Sequence, residues 1–239
     1  MKRIHKDLYW LRGLGGFINA YLWQGTTLMD AGAPALSHAF RYEMKQAGFA
    51  PRSVRKALVS HCHADHAGGL MHFPQDLTVH AGPEDLAVLQ GEAPAHGYHP
   101  QYGGVITALE RLLPTYQLAE NHTGHATSEG DDVEGWRAIE VPGHTPGSLV
   151  WYQPETRTVF VGDLLVHHFG FLQGPRPLFT PHYDEAIQSL GRLRELEIET
   201  ILFGHGRPLT VRAEQRLHRL IDRLQARLAP TAVWTTESP

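Results

Sequence analysis

The run His61-Cys62-His63-Ala64-Asp65-His66-Ala67-Gly68-Gly69 gathers three imidazoles and a carboxylate within six residues. Neutral imidazole is the commonest protein metal ligand, and a mixed set of nitrogen and oxygen donors suits zinc, iron or manganese. In an extended chain the side-chain period is two, so His61, His63 and Asp65 project to one side, and a turn at Asp65 brings His66 round to join them. Gly68 and Gly69 carry no side chain to obstruct a close backbone turn behind the cluster. Cys62 alternates away from its histidine neighbours and reads as a small buried packing residue, not a ligand.

Zinc takes about four donors, and a second ion needs a set of its own, so this run alone is an incomplete site. Further donors stand at other glycine-flanked strand ends: His144 in Pro142-Gly143-His144-Thr145-Pro146-Gly147, Asp163 after Gly162, and His205 in Gly204-His205-Gly206. Strand termini are where a rigid scaffold presents ligands. The chain has 17 histidines, and only those in these loops are assigned to the site.

The elements that must position these groups follow from hydrophobic period and punctuation. Residues 16–32 read as two short strands around a Gln24-Gly25 turn, residues 35–48 as a helix stopped by Gly48, and residues 54–60 as a buried strand feeding the histidine run. Another strand is expected over 77–80, then a helix opened by Pro83-Glu84-Asp85 and a second helical pattern over 105–113. The loop 91–104 between them carries His96, Tyr98, His99 and Tyr102. Residues 121–132 read as a polar, turn-rich stretch, followed by strands over 136–141, 148–153 and 158–161. Thr180 is the expected N-cap of a helix with Pro181 at its first position and Ile187, Leu190 and Leu193 as its apolar stripe. A strand over 200–203 and a final helix with Leu217, Leu220, Ile221, Leu224 and Leu228 on one face complete the chain. This order suggests two similar α/β layers packed sheet against sheet.

At 239 residues the length allows one large domain or two small ones of about 100–200 residues. With 42% hydrophobic and 19% charged residues the composition excludes a disordered chain. The net charge of −4 offers no field to hold a polyanion, so nucleic acid is not an expected partner. No segment approaches the roughly 18 apolar residues of a membrane span, and residues 1–7 lead into no apolar signal core. A single cysteine excludes an intrachain disulfide and suits a reducing compartment. The expectation is a cytoplasmic protein acting on a small molecule, with neither membrane nor nucleic acid as partner.

Taken together, His61-Cys62-His63-Ala64-Asp65-His66, Pro142-Gly143-His144-Thr145-Pro146-Gly147, Gly162-Asp163 and Gly204-His205-Gly206 resemble the metallo-β-lactamase superfamily in its glyoxalase II-like dinuclear hydrolase branch. Asp30-Ala31-Gly32 is similar to the family's early strand-end motif. The resemblance implies an α/β fold of the four-layer αββα sandwich type, with residues 1–239 forming one domain of two similar halves. It implies two divalent metal ions, zinc first, with iron or manganese as alternatives. His61, His63 and His144 would hold the first, Asp65, His66 and His205 the second, and Asp163 would bridge them. The implied activity is hydrolysis of an ester, thioester or lactone in a small molecule by a metal-bridging hydroxide, with Asp65 also the catalytic residue that orients it.

Within that family, Asp163 and His205 argue against a β-lactamase, because the similar lactamase branches lack the bridging aspartate or replace a second-site ligand. Leu164, Leu165 and Val166 stand where lactonases usually have a tyrosine, which weakens a lactone. The four lysines all precede residue 57, which counts against a glutathione-binding surface. Residues 164–183, with His167, His168, Phe169, Phe171, Phe179, His182 and Tyr183, are the expected pocket lining. The rival is an oxidoreductase resembling mononuclear iron persulfide dioxygenases, with His61 or His63, His144 and Asp163 as its ligands.

Overall fold

Alternation along the strands decides which side chains meet. In the computed structural model, residues 1–73, 76–95, 116–120 and 122–228 are described. The expected helix over 105–113 and the positions of His96, Tyr98, His99 and Tyr102 lie outside them. The first half of the described chain runs β1 (Lys2–His5), β2 (Leu8–Gly13), β3 (Ile18–Trp23), β4 (Thr27–Met29), α1 (Pro34–Gln46), β5 (Lys56–Leu58), α2 (Ala64–Ala67), β6 (Thr78–Ala81), α3 (Pro83–Leu89) and β7 (Thr123–Ala126). Its strands form a seven-stranded sheet in sequential order, antiparallel from β1 to β4 and parallel from β4 to β7.

The second half runs β8 (Asp132–Val133), β9 (Trp136–Glu140), β10 (Leu149–Gln153), β11 (Thr158–Phe160), β12 (Val166–His168), β13 (Phe171–Gln173), α4 (Tyr183–Ser189), β14 (Thr200–Leu202) and α5 (Ala213–Leu228). A five-stranded sheet has the order β14-β11-β10-β9-β8, and β12 pairs with β13 as a separate hairpin.

The three hydrophobic clusters are the three interfaces of an αββα sandwich. Trp10, Tyr21, Trp23, Met29 and Leu58 of the first sheet pack on Trp136, Leu149, Trp151, Phe160 and Leu202 of the second. Their neighbours point the other way: Leu11, Ala20, Leu22 and Ala57 meet Phe40 and Met44 of α1 and Leu86 and Leu89 of α3. Ile139, Val150, Val159 and Ile201 meet Ala186 and Ile187 of α4 and Leu217, Leu220, Ile221 and Leu224 of α5. Both faces of each sheet are thus covered, which explains why several strands read as continuous apolar runs.

Hydrogen bonds between the sheets pin one edge of the sandwich. Trp151 Nε1 donates to Val59 O at 3.1 Å, Leu149 N to Ser60 O at 2.8 Å, and the Tyr21 hydroxyl to Phe203 O at 2.9 Å. β9, β11 and β14 all end at this edge, because β9 and β14 both run parallel to β11.

Three expectations need correction. The polar stretch over 121–132 contains β7, a parallel edge strand on β6 that has exposed side chains and so shows no apolar pattern. β1 and β2 precede the first expected strand; β1, with Lys2, Arg3 and His5, is likewise an exposed edge. Thr180 does not cap a helix: α4 starts at Tyr183 with His182 before it and no side-chain cap, because the Thr180 hydroxyl is engaged elsewhere. Among the described residues no helix is long and apolar enough to cross a membrane.

Candidate metal centre

All seven residues singled out for metal binding meet at the pinned edge, delivered by four loops. The strand β5 ends at Leu58, and the chain continues through His61 and His63 before the single turn of α2, which carries Asp65 and His66. Asp65 therefore does not share one extended face with His61 and His63; the α2 turn moves it to the second cluster. The loop between β9 and β10 supplies His144, the end of β11 supplies Asp163, and the end of β14 supplies His205.

Two groups of donor atoms result. His61 Nε2 and His63 Nδ1 are 3.0 Å apart, and His144 Nε2 lies 3.1 and 3.2 Å from them. His66 Nε2 and His205 Nε2 are 3.3 Å apart, with Asp65 Oδ2 3.3 Å from His205 Nε2. Asp163 stands between the groups: Oδ1 is 3.3 Å from His66 Nε2, while Oδ2 is 3.3 Å from His205 Nε2 and 3.9 Å from His144 Nε2.

The outward-facing nitrogens explain why these atoms converge. Ser60 Oγ donates to Asp30 Oδ2 at 2.7 Å and so accepts from His61 Nδ1 at 3.0 Å. Thr180 Oγ1 donates to Arg176 O at 2.8 Å and so accepts from His144 Nδ1 at 3.1 Å. His66 Nδ1 donates to Asp30 Oδ2 at 2.7 Å, and His205 Nδ1 donates to Phe17 O. Each bond assigns the ring proton to Nδ1 and leaves the Nε2 lone pair aimed inward. Lone pairs facing lone pairs repel unless a cation, a proton or a metal ion, lies between them. Buried Asp163 Oδ1, which has no hydrogen-bond partner among the described residues, points to the same need. The donor set fits divalent metal.

Electrostatics agree. At His61, His63 and His144 burial dominates and neighbouring imidazoles add to it, so all three stay neutral, with the His144 pKa down to about 3. At His66 and His205 burial is overcome by the Asp163 and Asp65 carboxylates, which push His205 up to about 10. Asp163 and Asp65 are held below the usual carboxylate range, against burial, by His205 and His66. A field that retains a proton between these groups also attracts a metal cation.

Two supporting carboxylates carry roles that the local sequence does not disclose. Asp30, fully buried at the end of β4, binds Ser60 N at 2.8 Å as well as Ser60 Oγ and His66 Nδ1. Asp85, also fully buried, is in the first turn of α3. It accepts from Cys62 N at 2.8 Å, Thr145 Oγ1 at 2.7 Å and Gly147 N at 3.0 Å. Asp85 therefore ties the His61–His63 loop to the His144 loop. Cys62 is buried among the apolar residues under the first sheet, and burial pushes its thiol well up. His167 is turned away from the site: Nδ1 donates to Arg207 O at 2.7 Å, and Nε2 faces Arg216.

Close packing leaves no room behind the second group. A Cβ on Gly204 would lie 2.8 Å from Asp163 Oδ1 and still closer to His66 Cε1. Gly204→Ala is expected to displace both ligands and cut kcat/KM by about 100-fold, while far-UV circular dichroism stays that of the parent. Parental activity in this variant would show that the two side chains tolerate the shift.

Residues 13–205 match the family model of the metallo-beta-lactamase superfamily. The chain belongs to that superfamily. It is 26% identical over 200 residues to the probable metallo-hydrolase YflN of Bacillus subtilis, covering 77% of this chain and 76% of that one. It is 31% identical over 148 residues to a hydroxyacylglutathione hydrolase of Crocosphaera subtropica, covering 59% of this chain and 46% of that one. The subclass B3 metallo-beta-lactamase MEM-A1, from a soil metagenome library, superposes with a TM-score of 0.69 at 23% identity over 95% of both chains and shares the fold. The family match together with relatives named as metallo-hydrolases and hydroxyacylglutathione hydrolases makes this a metal-dependent hydrolase with a glyoxalase II-like sequence.

Proposed function

We propose that the chain is a dinuclear hydrolase that cleaves an ester, thioester or lactone bond in a small molecule. Asp163 carries this reading, because its two oxygens reach toward both donor groups. His61, His63 and His144 would hold one ion, Asp65, His66 and His205 the other, and Asp163 would touch both; zinc is the first choice, with iron or manganese as alternatives. When bound, two such ions supply a Lewis acid for an acyl carbonyl and a water acidic enough to react near neutral pH.

The chain's own residues do the rest. Asp30, Ser60, Thr180 and the Phe17 carbonyl keep four imidazoles in one tautomer and orientation. Asp65, the most exposed carboxylate of the cluster, would orient the attacking water, whose proton goes to the leaving group. The water oxygen bonds to the acyl carbon, the carbon–sulfur or carbon–oxygen bond breaks, and the thiol or alcohol departs with that proton. The likeness to a hydroxyacylglutathione hydrolase supports a thioester, while the lack of lysine beyond residue 56 argues against the glutathione moiety itself. In this reading the partner is a cytoplasmic small molecule, neither nucleic acid nor membrane.

Elemental analysis of protein purified without added metal or chelator tests the proposal. Two zinc, iron or manganese ions per chain are expected. A single iron per chain, with oxygen uptake on a persulfide, would overturn it in favour of a dioxygenase.

A further inference from the structure

The site mouth is flanked by two hairpin tips that differ from the Gln24-Gly25 and Glu134-Gly135 turns in placing a bulky apolar residue at positive φ. At the β2–β3 tip Leu14 and Gly15 have φ of 49° and 72°, and at the β12–β13 tip Phe169 and Gly170 have φ of 51° and 82°. Positive φ at both central residues is the pattern of a type I′ turn, for which Asn-Gly is the favoured pair. A bulky apolar residue at the first position is strained, and such strain persists at functional sites. Neither side chain gains packing in return, since Leu14 is 66% exposed and Phe169 is 87% exposed.

The tips touch each other and the metal centre. The Phe17 ring stacks on His168 with centroids 5.3 Å apart, and the Phe17 carbonyl holds His205. His168 pairs directly across the hairpin with Phe171, itself 68% exposed. Gly206 N donates to Gly16 O at 2.8 Å, and His167 N to His205 O at 3.1 Å, which fastens both hairpins to the His205 loop. Strand alternation turns His168 opposite to His167, toward Phe17. Phe17, His168 and Phe171 thus form an exposed, largely apolar ledge beside the His205 loop, with Leu14 and Phe169 at the two tips that flank it.

We infer that this ledge binds the acyl group of the substrate, so that the preferred substrates are thioesters or esters of medium-chain aliphatic acids. The inference rests on the hydrolase reading and adds its substrate class. Exposed, strained apolar residues at a reaction centre are accounted for when an acyl chain covers them, because each buried methylene contributes to binding.

The test uses holoenzyme with acetyl, butyryl and octanoyl thioesters of one small thiol. The kcat/KM is expected to rise by about tenfold or more from acetyl to octanoyl. Phe169→Asn and Leu14→Asn should each raise Tm by about 2–4 °C, by relieving the turn, and reduce the octanoyl-to-acetyl ratio by about tenfold. A purely structural tip would show the stability gain with the ratio unchanged, and that result overturns the inference. Acetyl turnover with no gain on lengthening the chain also overturns it and leaves the hydrolase reading intact, whereas no turnover of any of these thioesters, of the matching esters or of a lactone removes that reading and the inference with it. A dimer abolished by Phe169→Asn, with the ratio unchanged, would assign the ledge to self-association instead.

Discussion

Asp163→Ala is expected to lower kcat/KM on an acyl thioester by about 10³-fold or more and to leave the chain with less than its full metal complement. Three imidazoles face this carboxylate, at 3.3, 3.3 and 3.9 Å, and it is the group between the two donor sets. Removing it takes an anionic ligand from both prospective ions at once, and groups that act as a unit fail together. Burial at 8% exposure means that water gains little access to take its place. Steady-state kinetics with elemental analysis of the same preparation is the measurement. An unchanged rate would show that Asp163 does not bridge.

Asp85→Ala is expected to act through stability and through the first donor group only. The carboxylate accepts from two backbone N–H groups and a threonine hydroxyl, all buried, and truncation strands these donors. Bonds to a charged acceptor contribute about 1.5–3 kcal/mol each, and non-additivity brings the total cost to about 3–5 kcal/mol, a fall of roughly 10 °C in Tm. The His61–His63 and His144 loops lose their common anchor, whereas His66 keeps Asp30 and His205 keeps the Phe17 carbonyl. Thermal denaturation and metal counting should therefore show a less stable protein that loses one ion first. Loss of both ions together would mean that the centre assembles as one unit. Asp85→Asn should recover part of the stability, because its oxygen still accepts while its amide faces a donor.

That these seven side chains would gather was legible in the sequence, because dense histidine spacing and isolated polar residues between glycines are hard to explain otherwise. The groups that orient them were not. Asp85 reads locally as an ordinary acidic residue at a helix start, and its partner in the other loop is Thr145, 60 residues away. Thr180 has the local signature of an N-cap, yet tertiary context recruits its hydroxyl for His144. Two α/β layers packed sheet against sheet followed from the order of elements, while β1 and β7 escaped because exposed edge strands need no apolar period. Between His167 and His168 nothing in the sequence chooses; the bond to Arg207 O does.

The second donor group also has an order in time. Asn19 Nδ2 donates to Phe203 O at 2.9 Å and to Gly206 O at 2.6 Å, and Phe17 O receives His205 across 188 residues of chain. During synthesis, a nascent polypeptide that has reached Asp163 carries six of the seven donors and still lacks His205. The strand that completes the donor set, β14, is made after the other six donors, and the loop that follows it docks against residues made well before them. The second donor group is thereby complete only once the His205 loop has docked against the β2–β3 hairpin.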